Sequence, residues 1–385
     1  MNFKKAILKT LIIAATVILP ISAKADIYRD NNIPDDIKAK IEEIVDKPSR
    51  LAGIDGFKQK SRTDRIKDNI KWYKKYKKVN KLYVRYCLDI ENFRNQDDYL
   101  VKDELKRYSK HHNKINPLKH IWRICDKSIF ASTVKKSYPE FLPKIYIKFK
   151  GQKIITKSIK AKNTIEYIKN LENGKYFVKP TGGMCGNNTI RIIKKGKKLT
   201  FQHVTEGNIT QKQFIKITNS RECLLQEYIE NHDDIKKLSP YALNTVRIVT
   251  TRFHDNVHIL SADLRVCCRE DAVVDNFHKG GAIVHVDTKT GKLERYAHRM
   301  HDRVIKEHPL TNITFENYQL PFWKETLDMV KKLHKIFYQI PSIGWDVAIT
   351  PTGPKIIEGN CGWDIAVPQT TIGGIRELWA KLKKS

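Results

Sequence analysis

The chain has 385 residues, enough for a sizeable core in one large domain or two to three smaller ones. Its hydrophobic content is 41% and no residue class dominates, which excludes a low-complexity or disordered chain and indicates a globular one. Lys and Arg number 72 against 42 Asp and Glu, a net charge of +30. That balance suits anionic partners such as phosphates, nucleic acid or a membrane surface, and equally a soluble Lys-covered face.

The seven cysteines, Cys87, Cys125, Cys185, Cys223, Cys267, Cys268 and Cys361, are odd in number, scattered, and without a CxxC pair. This argues against a zinc site and a full disulfide framework, and for a catalytic part that folds reduced. The N-terminus points elsewhere. Lys4, Lys5 and Lys9 precede an apolar run from Leu11 to Ala23, then Ala23-Lys24-Ala25 before Asp26. A basic region, a short apolar region and an A-x-A site form the pattern of a secretory signal peptide. The run is too short to span a bilayer comfortably. Residues 1–25 are therefore expected to be a signal peptide or hydrophobic segment. The chain is then exported across a bacterial inner membrane or anchored there, or cytoplasmic if the start codon is mis-assigned.

Residues 26–120 show only helical pattern. Trp72, Tyr76, Val79, Tyr83, Tyr86 and Ile90 recur at steps of three and four, which predicts one amphipathic helix. Its other face carries Lys71, Lys74, Lys75, Lys77, Lys78, Lys81 and Arg85 with no acid among them. Such a face is a candidate contact for a membrane surface over 71–85, or simply a solvated face. No helix-turn-helix, zinc-finger or RRM pattern supports specific nucleic-acid binding.

The character shifts near residue 120, where a boundary is placed, and 121–385 reads as α+β. Asp126 is placed as the N-cap of a helix from Lys127, and Leu142 to Ile147 as a strand. Tyr176-Phe177-Val178-Lys179-Pro180 is a strand feeding a loop with Gly182, Gly183 and Gly186, followed by a second strand, Thr189 to Ile193. A Gly-rich loop between antiparallel strands lets backbone N–H groups close over phosphates, and it is also an ordinary hairpin loop. It is neither a Walker A loop nor a dinucleotide fingerprint. Glu222 to Ile229 is the next strand, with Gln226-Glu227-Tyr228-Ile229 at its end. Thr245 to Phe253 and Val257 to Val266 make a hairpin carrying Arg247 and Arg265 among apolar neighbours. A strand arginine is usually at an edge or snorkelling, and in a phosphate site it is a clamp. The loop Val274-Asp275-Asn276-Phe277-His278-Lys279-Gly280-Gly281 feeds strand Ala282 to Val286, with His278 either a base, a ligand or a hydrogen-bonded structural residue. A helix from Phe322 to Phe337 precedes the last hairpin.

That hairpin runs from Gly344 to Asn360. Pro351 suits the second position of a type I turn and Gly353 the left-handed residue closing a three-residue loop. On that loop Thr350 faces Pro354, Ala348 faces Ile356, and Asp346 faces Glu358. Asn360 shares the face of Glu358. Two carboxylates about 5 Å apart repel. A divalent cation reverses the penalty, and Asp346, Glu358 and the Asn360 carbonyl are hard oxygen ligands of the kind Mg²⁺ takes beside phosphates. A solvated hairpin end is the plainer alternative.

Taken in order, these pieces resemble the ATP-grasp superfamily over roughly residues 121–370, and most closely the sugar-transfer-associated branch related to α-L-glutamate ligases. The residues that carry the resemblance are Asn244-Thr245-Val246-Arg247, Val274 to Gly281, Gly344 to Thr350 and Ile357-Glu358-Gly359-Asn360. The resemblance implies two α+β subdomains clasping ATP, preceded by the helical N-terminal region. Lys179 would contact phosphates under the loop with Gly182, Gly183 and Gly186. Glu227, Tyr228 and Ile229 would border the adenine, with Asn276 and His278 also on the nucleotide side. Asp346, Glu358 and Asn360 would hold one or two Mg²⁺ (or Mn²⁺), and Arg247, Arg265 and Lys279 would steady the transferred phosphate and the acceptor. It further implies an ATP-dependent carboxylate–amine ligase acting through an acyl phosphate. The acceptor would be a small molecule, or a peptide or sugar in cell-surface polysaccharide or peptide modification. Cys185 and Cys361 are then packing or loop residues. The rivals are a kinase of the same fold and a non-catalytic polyanion- or membrane-binding protein.

Overall fold

The computed structural model describes residues 27–28, 31–51, 53–54, 56–101, 118–182, 188–270, 280–300 and 304–384. The signal-like segment, Cys185 and several loop residues named below lie outside them. Among the described residues no helix is long and apolar enough to cross a membrane.

The N-terminal region is helical at its start. Helix α1 (Asp35–Val45) buries Ile41, Ile44 and Val45, one face at steps of three and four, against Ile66 and Ile70 of α2 (Arg62–Tyr76). Ser61 caps α2 by accepting from the Asp64 N–H. The long helix expected through Ile90 is not there. Helix α2 stops at Tyr76, Lys77 turns left-handed with φ 54°, and the chain continues in turns. Asn80 accepts from the Leu82 N–H, a local bond that competes with helix continuation. Beyond it, the Lys60 N–H donates to Asp89 and the Glu91 N–H to Lys58. Trp72, Tyr83, Tyr86 and Ile90 are nevertheless buried, so their periodicity came from turn packing. The basic stretch is not one helix face either. Lys71 and Lys75 both bind Asp97, an acid contributed from outside it.

Helices α3 (Leu118–Cys125) and α4 (Lys127–Lys135) lead into the first sheet. Asp126 caps α4 as expected, accepting from the N–H groups of Ser128 and Ile129. The sheet holds β1 (Ile145–Lys150), β2 (Lys153–Ile154), β3 (Gly174–Pro180), β4 (Ile190–Lys195), β5 (Lys198–His203), β6 (Gly207–Ile209) and β7 (Cys223–Glu227). Its order is β2-β1-β7-β3-β4-β5-β6, with every pair antiparallel. Helices α5 (Thr164–Lys169) and α6 (Gln211–Asn219) cover one face through Ile165, Ile168 and Phe214.

After α7 (Asp233–Leu238) comes the second sheet: β8 (Thr245–Phe253), β9 (Asn256–Val266), β10 (Ala282–Val286), β11 (Leu293–Arg299), β12 (Ser342–Thr350) and β13 (Gly353–Asn360). Its order is β11-β10-β9-β8-β12-β13, again antiparallel, with α8 (Trp323–Ile336) inserted before β12. Ile248, Leu264, Val284, Trp345 and Val347 point to the α8 face and form the larger core. Every residue of β12 is buried, because the opposite face is covered too. The N-terminal region and helices α9 (Ala366–Thr371) and α10 (Arg376–Lys384) lie over it. Arg94 donates to the carbonyls of Tyr86, Thr370 and Thr371, and Arg376 to those of Asp97 and Tyr99. These bonds tie the two ends of the chain together.

Gly374 sits where that closure is tightest. A Cβ there would lie 2.3 Å from the Asp98 carbonyl carbon, an obstacle made of backbone. Gly374→Ala is expected to cost about 1–3 kcal/mol through overpacking, read as a lowered urea midpoint. An unchanged midpoint would mean that this contact gives way freely.

Candidate functional site

The site grows out of the face of the second sheet turned away from α8. Register brings one lateral row of polar residues across five strands. Glu358 pairs with Asp346, Asp346 with Arg247, Arg247 with Asp263, and Asp263 with His285. Alternation then sets Arg265 two residues along β9 on the same face.

The pairing of Asp346 with Glu358 is as expected, but the route to it differs. The hairpin loop has two residues, with Thr350 opposite Gly353 and Ala348 opposite Lys355. A bulge between Asp346 and Val347 then makes up one residue, because Val347 faces Ile356 and Asp346 faces Glu358. A shorter loop and a bulge therefore restore the same partner.

Asp346 is 3% exposed and held by two guanidiniums. Arg247 binds both of its oxygens through Nε and Nη2, and Arg265 Nη2 lies 2.9 Å from Oδ2. Burial alone would push this carboxyl up, but the charges of Arg247 and then Arg265 outweigh it, leaving Asp346 lowered to about 2. The Glu358 carboxyl stands opposite it across the β12–β13 pair. Glu358 is met by Lys127 Nζ at 3.6 Å and by the Asn360 amide nitrogen at 3.4 Å. Lys127 was not singled out in the sequence. As the first residue of α4, its N–H also donates to Thr181 at the end of β3, which fixes it beside the Gly-rich loop.

Lys179 crosses from the first sheet to the second. Its Nζ donates to the Ile357 carbonyl at 3.3 Å, next to Glu358. Buried in this position it drops to about 8, since burial outweighs the pull of Glu358 and Lys127 adds repulsion. Among the described residues nothing lies within 4 Å of the position a Cβ on Gly182, just past β3, would take.

Glu227 lies at the far end of β7, opposite Tyr176. Three positions along β3 separate that pair from Lys179, about 10 Å. Strand β7 ends there, and Tyr228 and Ile229 run on half-buried, with Lys175 over the Tyr228 ring. Lys179, Arg247, Arg265, Asp346, Glu358 and Asn360 are thus brought together, while Glu227 to Ile229 stand at the other end of the cleft. Gly183, Gly186, Asn276, His278 and Lys279 lie outside the described residues.

The row also supplies Asp263 and His285, which the sequence reading passed over. Asp263 Oδ1 accepts from Thr371 Oγ1 at 2.6 Å and meets His285 Nδ1 at 3.4 Å, and Asp263 Oδ2 is buried without a partner among the described residues. The strand alternation Ser261-Ala262-Asp263-Leu264-Arg265 was the available signal. Beyond His285, a cavity of about 60 Å³ is lined by Arg94, His298, Tyr296 and Thr371, where the N-terminal region meets the sheet.

The donors fit a hard divalent cation. The Asp346 and Glu358 carboxylates, paired across β12 and β13, and the Asn360 side-chain amide bring hard oxygen donors together. Among the described residues no group of three His, Cys, Asp or Glu forms a complete cage, so phosphate and water would complete the shell. Asp346→Asn is expected to destabilise the fold by about 3 kcal/mol, because it leaves two arginines without their shared anion. Thermal unfolding of the variant checks this, and an unshifted transition would show that solvent already balances both guanidiniums.

No curated protein matches the chain. Solved structures with a similar arrangement include three with low identity. The ADP complex of an N5-carboxyaminoimidazole ribonucleotide synthetase has 9% identity and a TM-score of 0.37, covering 63% of this chain and 46% of that one. A D-alanine–D-alanine ligase from Helicobacter pylori has 8% identity and a TM-score of 0.35, covering 68% and 58%. A RiPP-associated ATP-grasp ligase from Chryseobacterium gregarium, complexed with ADP and a leader and core peptide, has 10% identity and a TM-score of 0.37, covering 75% and 71%. The chain spans about half the length of the first of these. The family described as sugar-transfer associated ATP-grasp matches residues 106–382. With most of its length inside that match, and with two antiparallel sheets meeting at Lys179, Asp346 and Glu358, the chain belongs to the sugar-transfer associated ATP-grasp family.

Proposed function

We propose that this protein is an ATP- and Mg²⁺-dependent ligase that joins a carboxylate to an amine. The observation that carries the reading is the cross-strand pair of carboxylates, Asp346 and Glu358, ringed by Arg247, Arg265, Lys127 and Lys179 where the two sheets meet. Phosphoryl transfer asks mainly for positioned cations around a shared charge, and this ring supports that chemistry. No side-chain nucleophile is needed.

Glu358 and Asn360 would hold the metal in this reading, beside Asp346, which orients both arginines. Mg²⁺ held there would supply positive charge to the phosphates during the transfer. Lys179 binds the phosphates from the first sheet, beneath the loop that follows Gly182. Glu227, Tyr228 and Ile229 flank the base about 10 Å away. Arg247 and Arg265 steady the transferred group. The acceptor carboxylate attacks the terminal phosphorus and ADP leaves. The amine then attacks the acyl carbon, inorganic phosphate departs, and the amine loses its proton. Residues 26–120 form a separate region in sequence, and its described part up to Leu100 packs over the second sheet with α9 and α10. The amine comes from a small molecule, a peptide or a sugar. Export or anchoring by the N-terminal segment, and membrane contact by the exposed lysines near 71–81, belong to the same proposal.

Calorimetry with ATP in the presence and absence of Mg²⁺ tests the site directly. Binding that depends on Mg²⁺ and is lost in Glu358→Ala is expected, and an absence of binding to the unaltered protein would remove the enzyme reading. The pH dependence has a definite sign. Lys179 is charged below about pH 8, and only the charged form attracts phosphate. ATP affinity is therefore expected to weaken by about tenfold above that pH, the worth of one charge-assisted bond. Lys179→Met should bind weakly at every pH and show no such slope.

A further inference from the structure

The sequence scatters its cysteines, but the fold brings two of them together beside the site. Cys125 is the last residue of α3, and Cys361 follows Asn360 at the end of β13. Helix α3 packs directly on β13, with Ile124 Cγ2 3.2 Å from where a Cβ on Gly359 would stand. The glycine at 359 lets the helix approach this closely. That packing sets Cys125 beside Cys361, which rests on the same apolar cluster as Ile124, and Lys127 lends positive charge from two residues on. Cys125 is exposed and Cys361 half-buried. Among the other described cysteines, Cys87, Cys223 and Cys267 are buried, and Cys268 is half-buried.

We propose that Cys125 and Cys361 are a redox-active pair that closes to an intramolecular disulfide by exchange with a small-molecule or protein disulfide. The exposed thiol and the recessed one divide the work. Cys125, as thiolate, attacks one sulfur of the incoming R–S–S–R, and one RS⁻ leaves. The mixed disulfide on Cys125 is then attacked by Cys361, whose proton passes to solvent, and the second RS⁻ leaves. Two protein thiols are oxidised, one disulfide is reduced to two thiols, and the two protons end on the leaving thiolates. The two sulfurs must close to about 2.05 Å. Both residues sit at the ends of their elements, with a bend at Asp126 and a turn after Asn360, so the backbone can adjust without breaking a ladder or a helical turn. The bond would staple α3 to the strand that carries Glu358 and Asn360. That consequence rests on the nucleotide reading, but the chemistry of the pair does not.

The test is made on the full chain, reduced, freed of reductant and incubated in a glutathione disulfide buffer. Free thiols are then blocked and the digest is read by mass spectrometry. The expected result is one linked peptide pair joining Cys125 to Cys361, lost on addition of dithiothreitol. Cys361→Ser should instead accumulate a glutathione adduct on Cys125. Three results would overturn the proposal: both thiols blocked as fully as in the reduced protein, a stable adduct on Cys125 in the unaltered chain, or a bond from either residue to any other cysteine. ATP binding is measured separately, so failure of the nucleotide site leaves this readout intact.

Discussion

Asp346 is the charge on which the site depends. It sits almost wholly out of water, and its anion survives there because two arginines on neighbouring strands donate to it. Neither arginine would be stable on that face without it, since a partly buried guanidinium needs an acceptor as much as the carboxylate needs donors. Register is what delivers the partners. Because β12, β8 and β9 pair antiparallel, Asp346, Arg247 and Asp263 fall in one lateral row. A slip of one residue on any of these strands would send its charge to the α8 face, among Ile248, Leu264 and Trp345. The hydrophobic core therefore holds the electrostatics in place.

The same row explains why the N-terminal region matters to the site. A sheet face carrying acids, arginines and histidines cannot be closed by a second apolar layer alone. Residues up to Leu100 and the helices after Ile365 cover it with both kinds of contact. Val249, Leu260, Ile375 and Trp379 pack as a small apolar cluster, while Thr371 donates to Asp263 and Arg94 gathers three carbonyls. The Glu358 end of the row is built differently. There the first sheet reaches across through Lys179, and α4 reaches across through Lys127. Cations come from separate elements and converge on Glu358.

Much of this was visible before any coordinates. Strands with clean apolar alternation, such as Thr245 to Phe253, appear with the expected limits, and Asp126 caps its helix because a short polar side chain before an apolar run satisfies the first free N–H groups. The helix expected through Ile90 was misjudged because period alone does not separate a helix from a series of packed turns. Asn80 and the left-handed Lys77 decided between them. In the last hairpin the loop length was misjudged by one residue and a bulge by one more. The partner of Asp346 came out right because the two shifts cancel.

Sequence alone determined the order of the pieces: a lysine strand before a Gly-rich loop, arginines on strands, and an acid followed by Glu-x-Asn. That order is enough to place the chain in its family, because local patterning and the spacing of charged residues are written along the chain. Only the tertiary structure decided which charges meet. Lys127, Asp263, His285, Thr371 and the Cys125–Cys361 contact depend on packing between segments far apart in sequence. The physical reason is that a side chain's partner across a sheet or a helix–strand interface is set by register and close packing, and neither leaves a local trace in the residues themselves.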